Sequence, residues 1–430
     1  MKVIIQFFAF ALTMLLLVVS LDSFACSMCK VTINGRTYLG NNEDSWRIGS
    51  RIWFENKTFG NFGAVYVGYG DNFPQGGMNE AGLAFDGLTI YPKAINLDPT
   101  KTTETNPNKF IREIMQNCIT VEDVRNYAIK FNRPFNGGVL FFTDKFGKYL
   151  IMEPDTMTIG NDKKYIIANF CPSNTSDKQK LNFDRYKRGN DFLLNHINDT
   201  SSNYCLALVD TMHECRNKIA DGTMYSFIAD LEEGNLSLYF YHDFKHTKEF
   251  NLKIELAKGN HSFEMLDIFP PNTDYKKLID FKTPQNNGTM RLFLICCEVL
   301  FSFSSLFFLI SFLRNKKSIL QVNNTNQKIK LLLFAISVIL LYYANALSNN
   351  QAIFYFPSPY HDWKFSMLNI AAYIPFMMLI VIVPLIIQNI KVLKATNWTT
   401  FSKCLFTLNN LTYLALIFLF AYWKLYKFFS

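Results

Sequence analysis

Histidine is scarce in this 430-residue chain: His196, His213, His242, His246, His261 and His361 are all there is, and none sits in a recognisable triad pattern. A nucleophile activated by its own α-amine does not need one. His242 and His246 have the i, i+4 interval of a metal pair but fall at a strand end. No CxxC…CxxC repeat and no His-rich cluster is present, so no metal and no cofactor is expected. A strong charge of one sign is also missing. With 43 basic and 35 acidic residues the net charge is +8, mild and scattered, and no nucleic-acid partner is expected. Cysteine is limited to nine, of which Cys296, Cys297 and Cys404 lie in or beside apolar spans. Cys26, Cys29, Cys118, Cys171, Cys205 and Cys215 remain. If Cys26 stays a free thiol, at most two disulfides can form among the other five, and sequence does not assign the pairing.

Long apolar runs are what the chain has in plenty. Val3 to Leu21 follows a single Lys2 and ends at Ser23-Phe24-Ala25, with small residues at −3 and −1 of a cut after Ala25. That pattern is a secretory signal peptide, residues 1–25. Near the other end, residues 292–313, 329–347, 365–390 and 405–423 are each long and apolar enough to span a bilayer. Arg314, Lys316, Lys317, Lys328 and Lys330 lie between the first and second spans, and Lys391, Lys394 and Lys403 between the third and fourth. By the positive-inside rule those loops are cytoplasmic, and residues 26–268 are extracytoplasmic, where the signal peptide would send them. Pro270, Pro271 and Pro284 mark residues 269–290 as a linker before a membrane domain at 291–430. Glu298, inside the first span near its outer end, is expected to reach the interface.

A cut after Ala25 makes Cys26 the first residue, carrying a thiol and a free α-amine. An α-amine titrates at roughly 7.7–8 and a thiol at about 8.5, so the amine can take the thiol's proton without a histidine. Lys30-Val31-Thr32-Ile33, Asn34-Gly35 and Arg36-Thr37-Tyr38-Leu39 read as strand, two-residue turn and strand. The returning strand ends in Gly40-Asn41-Asn42-Glu43-Asp44, and the hairpin is expected to bring Asp44 and its neighbours back towards Cys26. There a carboxylate can orient the amine, and the amides of Asn41 and Asn42 can position a substrate carbonyl. Cys26-x-x-Cys29 opens a strand and not a helix, which argues against a redox motif.

A cysteine, a small polar residue, a hairpin and then G-x-N-x-D resembles the start of the penicillin V acylase, bile-salt hydrolase and isopenicillin N acyltransferase group of Ntn hydrolases. The Gly-Asn-Asn-Glu-Asp version is closer to the acyltransferase branch; bile-salt hydrolases have an Arg at the place of Asn41. The run from Gln75 to Leu88, with Gly76-Gly77-Met78-Asn79-Glu80-Ala81-Gly82-Leu83, is similar to a second segment of that group. The resemblance implies Asn79 and Thr89 near the substrate, with Thr89 at the position of an oxyanion-hole side chain. It also implies that Asn169, after the apolar Tyr165-Ile166-Ile167-Ala168, contacts substrate and transition state, and that Arg185 or Arg188 lies near the cysteine. A closing hairpin from Thr223 to Tyr241 completes the likeness, which runs with gaps from Cys26 to about Lys253.

The resemblance implies an α+β fold: an αββα sandwich, followed here by an all-α four-helix transmembrane region. The implied activity is that of a membrane-anchored amidohydrolase cleaving the linear C–N bond of a small N-acyl amide, with the lipid bilayer as its other partner. Cys26 would attack the acyl carbonyl, Asp44 orient the amine, Asn169 and Thr89 stabilise the oxyanion, and Arg185 hold a substrate carboxylate or the thiolate. Two alternatives stand beside it: an acyltransferase of the same fold, and an inactive lipoprotein or sensory binding module with Cys26 lipidated. Ser23 and Phe24 before the cysteine argue against the lipoprotein.

Overall fold

The computed structural model describes residues 26–427, apart from 58–60, 91, 94, 134, 198–200, 202, 315–324 and 357–366. The expected signal peptide lies outside the described residues. The described chain falls into two compact units that divide between Ile279 and Asp280.

The first unit holds two large antiparallel sheets and a two-stranded parallel pair, Thr102–Thr103 with Phe131–Asn132. Strands β1 (Ser27–Ile33), β2 (Arg36–Ser45), β3 (Ser50–Glu55), β4 (Ala64–Tyr69), β5 (Pro74–Asn79), β6 (Leu83–Thr89), the two-residue β7 (Thr102–Thr103) and β8 (Phe131–Asn132), β9 (Gly138–Asp144), β10 (Tyr149–Met152), β11 (Met157–Gly160), β12 (Lys164–Ala168), β13 (Gly222–Asp230), β14 (Asn235–Phe240), β15 (Asp243–Asn251) and β16 (His261–Glu264) follow one another along the chain. One sheet has the order β12-β1-β2-β13-β14-β15 and the other β11-β10-β9-β6-β5-β4-β3-β16.

Side-chain alternation builds the layers, because successive residues of a strand point to opposite faces. On the six-stranded sheet, Cys29, Val31 and Ile33 of β1 pack under helices α3 (Asp184–Asn195) and α4 (Tyr204–Met212), against Tyr204, Leu208, Val209 and Met212. On the eight-stranded sheet, Trp53, Tyr66, Phe85 and Phe142 pack under α1 (Pro107–Asn117) and α2 (Val121–Ala128), against Phe110, Ile114 and Val124. The inner faces meet each other, as the ring pairs Tyr69–Tyr225 at 6.2 Å and Phe141–Tyr165 at 5.9 Å show. The result is a helix–sheet–sheet–helix sandwich, as expected. Local signals start the helices: Asn106 caps α1 at the Lys109 N–H, and Thr120 with Asp123 forms a capping box on α2.

The stretch expected to be a linker contains a helix, Thr273–Asp280. Asn272 accepts from the Asp274 and Tyr275 N–H groups at 2.9 and 3.0 Å, and Tyr275 packs on Phe240 and Tyr241. Pro270 and Pro271 end just before this cap, where proline is compatible with a helix start, and Pro284 follows the helix.

The second unit carries four helices long and apolar enough to cross a membrane: Gly288–Arg314, Asn326–Asn349, Met367–Lys394 and Thr400–Tyr422. The third breaks between Ala371 and Ile374, where Pro375 has no N–H to bond Ala371. Polar side chains link the helices, with Asn409 Nδ2 donating to Ser304 Oγ at 2.9 Å and Asn389 Nδ2 to Thr407 Oγ1 at 3.1 Å. Glu298 accepts a 2.7 Å bond from Ser348 Oγ on the second helix.

Candidate active site

The hairpin fixes the site. Asn34 and Gly35 both take positive φ, 51° and 81°, the geometry of a two-residue turn whose twist matches the strands it joins. Ile33 then faces Arg36, and each further step keeps partners whose numbers sum to 69, up to Ser27 opposite Asn42. The residue opposite Cys26 is consequently Glu43, not Asp44. Cys26 Sγ donates to Glu43 Oε2 at 3.2 Å, and Tyr69 Oη reaches Glu43 Oε1 at 3.4 Å.

Asp44 points to the other face of β2 and approaches Cys26 through its backbone N–H, which donates to the sulfur. Its side chain lies on the helix side. Arg185 Nη1 donates to Asp44 Oδ2 at 2.6 Å and Thr223 Oγ1 to Oδ1 at 2.5 Å. A bulge in β13 between Thr223 and Tyr225 pairs Thr223 with Asp44 and Tyr225 with Glu43. The network continues: Arg185 Nη2 donates to Asn169 Oδ1 at 3.2 Å, and Asn169 Nδ2 to the Thr89 carbonyl at 2.8 Å. Asp44, Arg185, Asn169 and Thr89, far apart in sequence, form one chain of hydrogen bonds linking the two sheets. Arg188 stands at the rim of α3, bonded to the His213 carbonyl at 2.8 Å.

Of three further expected substrate contacts, two sit elsewhere. Asn42 faces the helix layer, where Nδ2 donates to the Val209 carbonyl at 2.9 Å and Oδ1 accepts from Ser226 Oγ at 2.6 Å. Asn41 accepts from the Phe227 N–H, and its Nδ2 is buried without a hydrogen-bond partner among the described residues. Asn79 is not brought to the site. Its Nδ2 donates to the Met115 and Cys118 carbonyls and its Oδ1 accepts from the Ala81 and Leu83 N–H groups, which fills all four of its positions. Asn79→Ala is therefore expected to lower stability by more than about 2 kcal/mol in urea unfolding while leaving kcat/KM of the folded fraction within a few-fold.

A cavity of about 210 Å³ opens at Cys26. Cys26, Glu43, Arg47 and Gln75 form its polar part, and Leu88, Ile111, Phe135, Val139 and Leu140 an apolar part suited to an acyl group. Arg47 lies 4.4 Å over the Tyr69 ring and bonds Asp71 at 2.8 Å.

The electrostatics are those of acid groups in a dry place. Burial, then the charges of Glu43, Asp44 and Asp86, push the Cys26 thiol well above its usual range. Burial raises Glu43 to about 7. Asp86 is fully buried between the sheets with no side-chain partner among the described residues; burial, then Glu43, push it well above the carboxylate range, and the Gly87 N–H eases its charge. Burial also raises Asp44, opposed by Arg185 and by Arg216, which itself pairs with buried Asp221 at 2.8 Å.

The chain is similar in structure to a bile acid hydrolase. Two variants of the conjugated bile acid hydrolase from Clostridium perfringens superpose with TM-scores of 0.46 and 0.44 at 14% identity, covering 57% and 58% of this chain and 97% of theirs. Penicillin V acylase from Agrobacterium tumefaciens superposes with a TM-score of 0.42 at 14% identity, covering 52% of this chain and 84% of its own. No protein family matches the chain by sequence, and no curated protein does. The chemistry of the site rests on the side chains described above.

Glu43, Asp86, Tyr69, Tyr225 and Arg216 were not among the expected site residues. For Glu43 the signal was in the turn: a two-residue loop at 34–35 pairs position 26 with position 43. Its titration gives a direct test on a chain that retains residues before Cys26. Unfolded, Glu43 has its ordinary pKa of 4.5; folded, it has about 7. The folded state holds the proton more tightly, so this contribution is fully present below pH 4.5 and is lost as pH rises through 7. The displacement corresponds to about 3 kcal/mol. Glu43→Gln is expected to flatten the fall in stability across that window and to stabilise the uncut chain above pH 7, as read by thermal unfolding at stepped pH.

Proposed function

We propose that the first unit is an N-terminal-cysteine amidohydrolase, formed by a cut between Ala25 and Cys26, that cleaves the linear C–N bond of a small N-acyl amide. The observation that carries this reading is the concentration of buried carboxylates around residue 26. In the uncut chain the nitrogen of Cys26 is a neutral amide, and burial, then Glu43, Asp44 and Asp86, hold the thiol protonated. A cut turns that nitrogen into an amine that becomes an α-ammonium on protonation, a cation directly beside the sulfur. A charge of that sign beside the sulfur favours the thiolate.

The α-amine takes the thiol proton, and the Cys26 thiolate attacks the acyl carbonyl. The tetrahedral oxyanion is received by donors from Asn169, Asn41 Nδ2 and the turn at Thr89. Collapse breaks the C–N bond, the proton passes from the α-ammonium to the leaving amine, and water hydrolyses the thioester by the reverse path. Asp44, held by Arg185 and Thr223, fixes the strand end from which Cys26 projects. The apolar side of the cavity receives the acyl group. The four apolar helices anchor the unit at a membrane, and the basic residues between the first and second and the third and fourth spans support an extracytoplasmic side for it.

The test is the N-terminal peptide of protein extracted from its membrane. An unmodified peptide beginning at Cys26, labelled there by a thiol-reactive lactam or amide probe, supports the reading. A peptide beginning at Met1, or one acylated on Cys26, overturns it, because the amine is then unavailable.

A further inference from the structure

The face of β1 turned away from the cavity carries a second sulfur chemistry. Cys29 is three residues from Cys26, so strand alternation points it into the helix layer while Cys26 points between the sheets. Its Sγ lies 3.9 Å from Sγ of Cys205 on α4, and both residues are buried. Among the described residues this is the pair of thiols in contact within the first unit; Cys118 sits in the other core cluster, and Cys215 is exposed beside His242 Nε2 at 3.4 Å. Room for the two sulfurs comes from β2. A Cβ at Gly40 would lie 2.9 Å from Cys29 Sγ, 3.3 Å from Cys205 Sγ and 2.4 Å from Val209, so only glycine leaves the space open.

We propose that Cys29 and Cys205 are a modification site, closing to a disulfide in an oxidising compartment and fastening β1 to α4. Closure needs the sulfurs to come from 3.9 Å to about 2.05 Å, within reach of small side-chain rotations. The oxidant is a disulfide, oxidised glutathione or a disulfide-carrying oxidoreductase. The thiolate of one cysteine opens the oxidant's S–S bond to give a mixed disulfide, and the other thiolate displaces the reduced thiol. Two protons and two electrons leave the pair, and one disulfide of the oxidant becomes two thiols.

The consequence reaches the catalytic strand. The link closes a loop of 176 residues and ties the strand that begins at the nucleophile to the helix whose Val209 carbonyl holds Asn42. It also keeps Cys29 from pairing with Cys26, leaving that thiol free. The inference rests on the extracytoplasmic part of the proposed function and not on the catalytic part.

The experiment takes the full-length chain from its membrane with thiols blocked by N-ethylmaleimide at lysis, and a second sample purified in detergent and equilibrated with oxidised glutathione. Unreduced peptides are then mapped by mass. The expected result in both is a Cys29 peptide joined to a Cys205 peptide, lighter by two hydrogens than their sum. Reduction is expected to lower Tm on the order of 10 °C, and to leave the Tm of a C29A/C205A chain unchanged. Glutathione-treated protein with both cysteines alkylated, or either joined elsewhere, overturns the assignment. A pair that closes in glutathione but is alkylated in the membrane sample overturns the native cross-link and the sidedness together, leaving the nucleophile reading to its own test.

Discussion

A chain whose first residue is Cys26 is expected to hydrolyse a fluorogenic N-acyl amide, and one alanine left in front of Cys26 is expected to lower kcat/KM by about 10²–10⁴-fold, the usual worth of a positioned acid–base group. The extra residue changes no side chain in the cavity. It replaces an amine by an amide, which removes both the acceptor of the thiol proton and the cation beside the sulfur, where burial, then Glu43, Asp44 and Asp86, push the thiol up. Cys26→Ala should show no hydrolysis above background. Burst kinetics would report the acyl-enzyme directly, with one equivalent of amine released per active site before turnover. If the extended chain were as active as the cut one, the base would have to be sought elsewhere, and Glu43, 3.2 Å from the sulfur, would be first in line.

Much of the sandwich was legible because alternation and turn chemistry are local. Asn34-Gly35 fixed a register that carries through seven residue pairs, and the apolar positions of β1 and β4 separate cleanly into inner and outer faces. Distant assembly was less so. Asp44, Asn169 and Arg185 could be singled out by motif, but their joining depends on α3 returning over β2, which no spacing states. Glu43 is marked by a different signal: the motif points to its aspartate, while counting across the turn places Glu43 opposite Cys26. Asn79 shows the reverse error of emphasis. Its setting, Met78-Asn79-Glu80-Ala81-Gly82, is a side-chain-capped turn ending in a glycine at φ 82°, a local structural device that also fits a binding motif. Asp86 carries no sequence signal, since its significance comes from being buried with no side-chain partner among the described residues.

The second large effect is expected at Arg185. Its guanidinium and the Asp44 carboxylate are almost entirely withdrawn from water, with side-chain exposures of 10% and 0%. Arg185→Met leaves Asp44 as a buried charge with Thr223 and the more distant Arg216 as its remaining support, and removes the donor to Asn169 Oδ1. Breaking one side of such a pair costs roughly 3–5 kcal/mol, whereas replacing both partners by neutral groups of similar shape can cost little. The double variant Asp44→Asn/Arg185→Met is therefore expected to recover most of the stability lost by the single one in urea unfolding. Activity should separate the two roles. If Arg185 acts through Asp44 and Asn169 on the position of Cys26, the double variant remains at least about 10²-fold down in kcat with KM little changed, because the strand end is folded but no longer held in register with the oxyanion donors. A KM rise of the same size at constant kcat would instead assign the guanidinium to a carboxylate on the substrate itself. Full recovery of kcat/KM along with stability would mean that the ion pair serves the fold alone, and that Thr223 and the β13 bulge suffice to aim the nucleophile.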